Sequence, residues 1–137
     1  MRNQRPEILF LCVHNAGRSQ MAAGFAREIG VDRLVVHSAG SAPGETLNCA
    51  VVEAMREKGV DISNESPCKL TVEIGRSADV IVMMGCGDEC QVYLGKRYLD
   101  WELTDPSGKE LDEVRAIRDD VEGRVRDLVD ELVAKSS

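Results

Sequence analysis

The chain is poor in aromatic side chains, with one Trp, two Tyr and two Phe making up 4% of 137 residues. Proteins that hold single strands of nucleic acid stack bases on aromatic platforms, and this sequence has little to build one from. Positive charge is also short: 17 Lys and Arg stand against 24 Asp and Glu, a formal net charge of −7. Neither a nucleic acid nor an anionic membrane is attracted over distance by such a surface. There are two histidines and no Cys/His cluster at ligand spacing, so no metal centre is expected. Apolar runs are only a few residues long, too short to span a bilayer. The polar start, Met1-Arg-Asn-Gln-Arg-Pro-Glu, does not read as a signal peptide. These features lead us to expect a soluble, cytosolic protein with no nucleic-acid or membrane partner. Five cysteines in a reducing compartment, an odd number, argue for chemical or incidental roles over a disulfide scaffold.

What the sequence does have is concentrated near its start. In Glu7-Ile-Leu-Phe-Leu-Cys-Val-His-Asn-Ala-Gly-Arg-Ser, Cys12 closes an apolar run and Arg18 follows six positions later. Ile8 to Leu11 read as a short buried strand and Ser19-Gln-Met-Ala-Ala opens a helix, so the connecting loop sits at a helix N-terminus. The amides of Val13, His14, Asn15, Ala16, Gly17 and Arg18 in such a loop make an anion cradle that requires no metal. Those amides, the helix dipole and the Arg18 charge favour a thiolate at Cys12. A thiolate facing a bound oxyanion is a nucleophile facing its target. Ser19 can donate to the sulfur, or serve only as the helix N-cap. Asn15 suits a left-handed backbone and can tie the loop together through its amide. His14 reads as a loop-lining residue and not as a base.

The length fits one domain, residues 1–137. Arg33 to Ser38 read as a second strand, followed by a loop over Ala39 to Gly44. A helix is expected from about Thr46 to Lys58, closed by Gly59. Leu70 to Ser77 read as a short helix, and Ala78 to Met84 as a central parallel strand. Tyr98 to Leu103 supply an edge strand, and a long helix runs from about Glu110 to Lys135 with its charged remainder solvated. Alternating strands and helices imply an α/β fold, a three-layer α/β/α sandwich around a parallel sheet of about four strands. Ligands in such sheets bind at the carboxyl ends of strands, where Cys12 lies.

An oxyanion attacked by Cys12 needs its leaving oxygen protonated, and Asp105 in Thr-Asp-Pro-Ser-Gly is the best candidate acid. Pro106 restricts the Asp105 backbone to extended or turn conformations. Cys86 and Cys90, separated by Gly-Asp-Glu, suit a thiol–disulfide relay in which Cys86 attacks an adduct on Cys12 and is relieved by Cys90. Half a zinc site and two incidental thiols are the other readings of that pair. Cys49, in an apolar helical pattern, and Cys68, beside Pro67, read as structural.

Taken together these segments resemble the low-molecular-weight tyrosine phosphatase superfamily, and within it the arsenate reductase branch, the thioredoxin-coupled type most of all. The resemblance rests on Cys12-Val-His-Asn-Ala-Gly-Arg-Ser-Gln-Met-Ala, His37-Ser-Ala-Gly, Gly59-Val-Asp-Ile-Ser, the Cys86 loop and Asp100-Trp-Glu-Leu-Thr-Asp-Pro-Ser-Gly-Lys. It implies a low-molecular-weight phosphatase-like fold and arsenate as substrate, with phosphate or sulfate as mimics. In that branch Cys12 attacks arsenate, Arg18 and the loop amides hold its oxygens, and Asp105 protonates the departing oxygen. Cys86 then attacks Cys12 and arsenite leaves. The disulfide passes to Cys86–Cys90, which thioredoxin reduces, with no bound cofactor. Three departures go with the resemblance. Cys86 and Cys90 stand closer together than the relay cysteines usual in that type. Asn15 and Ser38 match residues with which some members bind potassium, but Ala23 stands where they have a glutamate, so no cation site is expected. Related reductases draw instead on mycothiol or glutaredoxin.

Two other functions fit parts of the pattern. A tyrosine phosphatase would use the same loop and acid, with water as second nucleophile and no need of Cys86 or Cys90. A non-enzymatic thiol sensor would use Cys12 and Cys86 but not Asp105.

Overall fold

The computed structural model describes residues 5–12, 15, 17–40, 44, 46–84, 97–104, 106 and 108–136. Four strands, β1 (Glu7–Cys12), β2 (Val35–Gly40), β3 (Val80–Met83) and β4 (Arg97–Asp100), form one sheet in the order β2-β1-β3-β4. Every pairing is parallel. The helices are α1 (Arg18–Gly30), α2 (Cys49–Glu57), α3 (Val72–Ser77) and α4 (Leu111–Ser136), with a 3-10 turn at Val31–Arg33. No helix among the described residues is long and apolar enough to cross a membrane.

The alternation of side chains along β1 divides the core. Ile8, Phe10 and Cys12 face a large cluster with Met21 and Phe25 of α1, Val51 and Met55 of α2, and Val114, Val121 and Val125 of α4. Leu9 and Leu11 point the other way, onto Ala39, Ala78, Ile81 and the partly buried Ile74 of α3. This two-sided burial explains why β1 is apolar from Ile8 onward, and each of its fully buried large side chains contributes about 1.5–3 kcal/mol relative to exposure. Among the described residues three helices thus cover one face and α3 the other, the three-layer α/β/α arrangement expected from the sequence. Because all strands run the same way, the carboxyl ends of β1 and β4 open on one edge of the sheet, bringing the segments after Cys12 and after Asp100 to the same side.

Element boundaries differ from the expected ones for identifiable reasons. β2 starts two residues late and continues through Gly40, because Gly40 pairs with Cys12 and is also gripped from its other side. Its N–H donates to Cys68 O at 2.8 Å and its carbonyl accepts from Leu70 N at 3.0 Å. β3 is shorter than expected, and the Asp79 carboxylate before it accepts the Glu7 N–H at 2.8 Å. β4 ends at Asp100, short of Leu103. Helix α2 begins at Cys49, since the Asn48 side chain accepts from Ala50 N at 2.9 Å and Val51 N at 3.4 Å, the bonds of an N-cap. Its end is as expected. Gly59 takes φ +78°, with Gly59 N bonded to Arg56 O and Val60 N to Met55 O, a Schellman motif whose left-handed position favours glycine. On α4 the charged residues are not all solvated: Arg118 is buried, bonding Ala54 O at 2.9 Å and Glu57 at 2.8 Å.

Candidate active site

Cys12 is the last residue of β1 and only 2% exposed. Among the described residues two hydrogen-bonding groups reach its sulfur: the Asn15 N–H donates at 3.2 Å and the Ser19 hydroxyl lies at 2.9 Å. The neighbours of the second contact orient the amide beside it. Asn15 Oδ1 accepts the backbone N–H of Cys68 at 2.7 Å, and a backbone nitrogen can only donate, so that atom is the oxygen. The other end of the amide, Nδ2, therefore donates to Ser19 Oγ at 2.7 Å. While accepting from Asn15, the Ser19 hydroxyl keeps its own proton available for Cys12 Sγ. The chain of hydrogen bonds from Cys68 through Asn15 and Ser19 ends at the sulfur, where the Asn15 N–H and the Ser19 hydroxyl are both placed to donate to an anionic acceptor.

The loop geometry that permits this is unusual for a non-glycine residue. Asn15 sits at φ +51°, the left-handed region that asparagine tolerates better than most side chains, as its place in the loop led us to expect. The structure corrects one reading: Ser19 is not the N-cap of α1. The helix starts at Arg18, with Gly17 as N-cap and no side-chain capping bond, which leaves the first-turn amides open to an anion. Arg18 is buried and its Nη1 donates to Leu103 O at 3.3 Å. The segment after β4 is thereby tied to the Cys12 loop. Pro106 is held against the same loop, for a Cβ added to Gly17 would fall 2.7 Å from Pro106 Cγ.

Of the expected site residues, the structure gathers Cys12, Asn15, Gly17, Arg18 and Ser19 at one end of β1. Val13, His14, Ala16, Cys86, Cys90 and Asp105 lie outside the described residues. Cys49 and Cys68 do not pack in the core as a structural reading requires. Both are exposed, Cys49 because it is the first residue of α2 and Cys68 because it lies on the run to Leu70 beside the edge strand β2.

Sequence reasoning missed the importance of Gln20, which is 1% exposed. Its Nε2 lies within 3.1 Å of both Asn15 O and Asn15 Oδ1 and 3.3 Å from Ser66 O, so it helps hold Asn15 in its strained conformation. Its Oε1 is buried with no partner among the described residues. The signal was present: a polar residue at the third position of a helix, followed by the small apolar run Met21-Ala22-Ala23 that buries that turn. Asn48, which donates from Nδ2 to Pro106 O at 3.4 Å, was also missed.

Known proteins carry the same pattern. A family model described as low molecular weight phosphotyrosine protein phosphatase matches residues 7–137. The chain is 39% identical over 128 residues to a Halobacterium salinarum protein provisionally named arsenate reductase, covering 90% of each. It is 32% identical over 137 residues to the glutaredoxin arsenate reductase of Synechocystis, covering 96% of this chain and 98% of that one. The solved structure of the thioredoxin-dependent arsenate reductase of Corynebacterium glutamicum superposes with a TM-score of 0.82 at 39% identity, over 97% of this chain. This chain spans 63% of that protein's length. With the nucleophile loop, the parallel sheet and these matches agreeing, the chain belongs to the low molecular weight phosphotyrosine protein phosphatase family.

Proposed function

We propose that this protein is an arsenate reductase working through three of its own thiols. The observation that carries the chemistry is the Cys12 sulfur held between the Asn15 N–H and the Ser19 hydroxyl beside an uncapped helix N-terminus. The arsenate reductase names of its relatives support arsenate as the substrate.

Cys12 thiolate attacks the arsenic of arsenate, held by the loop amides and Arg18. A sulfur–arsenic bond forms and an arsenic–oxygen bond breaks, and the departing oxygen takes a proton from Asp105 to leave as water. Cys86 thiolate then attacks Cys12 Sγ. The electron pair of the sulfur–arsenic bond goes to arsenic, which leaves as arsenite, two electrons reduced, while Cys12 and Cys86 are joined. Cys90 attacks Cys86, freeing Cys12 as thiolate and leaving a Cys86–Cys90 disulfide. An external dithiol returns two electrons, with thioredoxin the favoured donor. No bound cofactor enters the cycle, and a reducing cytoplasm keeps the three thiols available.

The test is NADPH consumption with arsenate, supplying the thioredoxin, glutaredoxin and mycothiol systems in turn. Arsenate-dependent consumption with thioredoxin is the expected result. Consumption only with glutaredoxin or mycothiol would replace the donor and keep the reaction. None with any donor, together with hydrolysis of a phosphotyrosine substrate, would make the protein a phosphatase.

A further inference from the structure

We propose that Asn48 is a positioning residue for the acid Asp105, a proposal that rests on the reading of Asp105 as general acid. Asn48 uses both ends of its amide. Oδ1 accepts from the backbone N–H groups of Ala50 and Val51, which identifies it as the oxygen, so the end aimed at Pro106 O, 3.4 Å away, is the donor Nδ2. One side chain thereby caps α2 and grips the residue that follows Asp105 in the chain.

Pro106 is a suitable point to grip. Lacking an N–H, it has only its carbonyl as a backbone hydrogen-bonding group. That carbonyl accepts from Lys109 N at 3.0 Å, closing a turn in which Gly108 takes φ +74°, and it keeps a second lone pair for Asn48. The Pro106 ring is wedged: the point 2.7 Å from its Cγ, where a Gly17 side chain would begin, is 3.6 Å from Val51 Cγ2. Two residues before Asp105, Leu103 O accepts from Arg18. The chain is thus held on both sides of position 105, Leu103 by Arg18 and Pro106 by Asn48 and its close approach to Gly17. Of these contacts, only the Asn48 bond can be removed without touching the anion loop itself.

The cap and the grip are separable. Asn48→Ser retains an N-cap acceptor but is too short to reach Pro106, and Asn48→Asp retains the shape and cap while losing the donor. The experiment measures kcat and KM for arsenate reduction, with whichever thiol donor supports turnover, for both variants in the Asp105 chain and in the Asp105→Asn chain, alongside thermal midpoints. A misplaced acid slows the chemical step, so kcat should fall by about 10-fold, with KM and the midpoints little changed. In the Asp105→Asn background the same substitutions should cost less than about 2-fold, because Asn48 has no acid left to place. Equal losses in both backgrounds, or none in the Asp105 chain, would overturn the proposal. If Asp105→Asn alone leaves the rate unchanged, the acid reading fails, and that result is visible apart from any Asn48 comparison.

Discussion

The Ser19 hydroxyl lies 2.9 Å from the Cys12 sulfur and accepts from the Asn15 amide, which leaves its own proton available to the sulfur. A hydroxyl held this way serves a thiolate better than a neutral thiol, since a bond to a charged acceptor is the stronger one. Removing it with Ser19→Ala should slow both iodoacetamide alkylation of Cys12 at neutral pH and arsenate turnover by roughly 10–100-fold, the worth of one hydrogen bond to a charged group. Unchanged alkylation and turnover would show that the contact only packs the loop.

Asp105→Asn should lower kcat by roughly 10²–10⁴-fold, the usual contribution of a general acid. The loss should be carried by kcat, with arsenate affinity, measured as competition by phosphate, nearly unaffected. A variant that loses affinity but not kcat would assign Asp105 to binding.

Cys86→Ser should form the Cys12–arsenic adduct yet fail to turn over with thioredoxin, because the thiolate assigned to attack Cys12 is gone and Cys90 acts only on Cys86. Mass spectrometry of the arsenate-treated variant, with steady-state NADPH assays, checks both halves. Full thioredoxin-coupled turnover in Cys86→Ser would remove the relay.

Far from the site, the Arg115 guanidinium bonded to Glu57, with Arg118 beside it, holds the Glu57 carboxyl down from 4.5 to about 2. A lowered folded-state value means that this contact stabilises the fold fully above about pH 4.5 and loses that effect as pH falls toward 2. Glu57→Gln should therefore be less stable than wild type at neutral pH, with the difference shrinking between pH 4.5 and 2. Urea midpoints across that range measure it. Curves that stay parallel at all pH values would show that the ion pairs contribute nothing, as exposed pairs often do.

How far the sequence revealed these features depended on whether their cause was local. The anion loop is a local pattern, and Cys12, Asn15, Arg18 and Ser19 were found in it from spacing alone. Gln20 was not, since a glutamine in a first helical turn is ordinarily solvated and its three acceptors come partly from Ser66, 46 residues away. The start of α2 was misplaced because both Thr46 and Asn48 are good caps, and only the fold shows that Asn48 has the backbone partners. β2 was misplaced for a similar reason: Gly40 is held by Cys12, Cys68 and Leu70, contacts no local pattern reveals. Cys49 reads as structural in the sequence because its neighbours Val51, Ala54 and Met55 follow an apolar helical pattern and are core, while the first residue of a helix can turn away from the face they define.

The most direct measurement of the central claim is a single turnover without any external donor. Fully reduced protein is mixed with excess arsenate, arsenite is quantified, and lost thiols are mapped by mass spectrometry in wild type and in Cys12→Ser. The account requires one arsenite per wild-type chain, a Cys86–Cys90 disulfide as the product, and neither from Cys12→Ser. Arsenite formed by Cys12→Ser, or no arsenite and no thiol loss in the wild type, would contradict it.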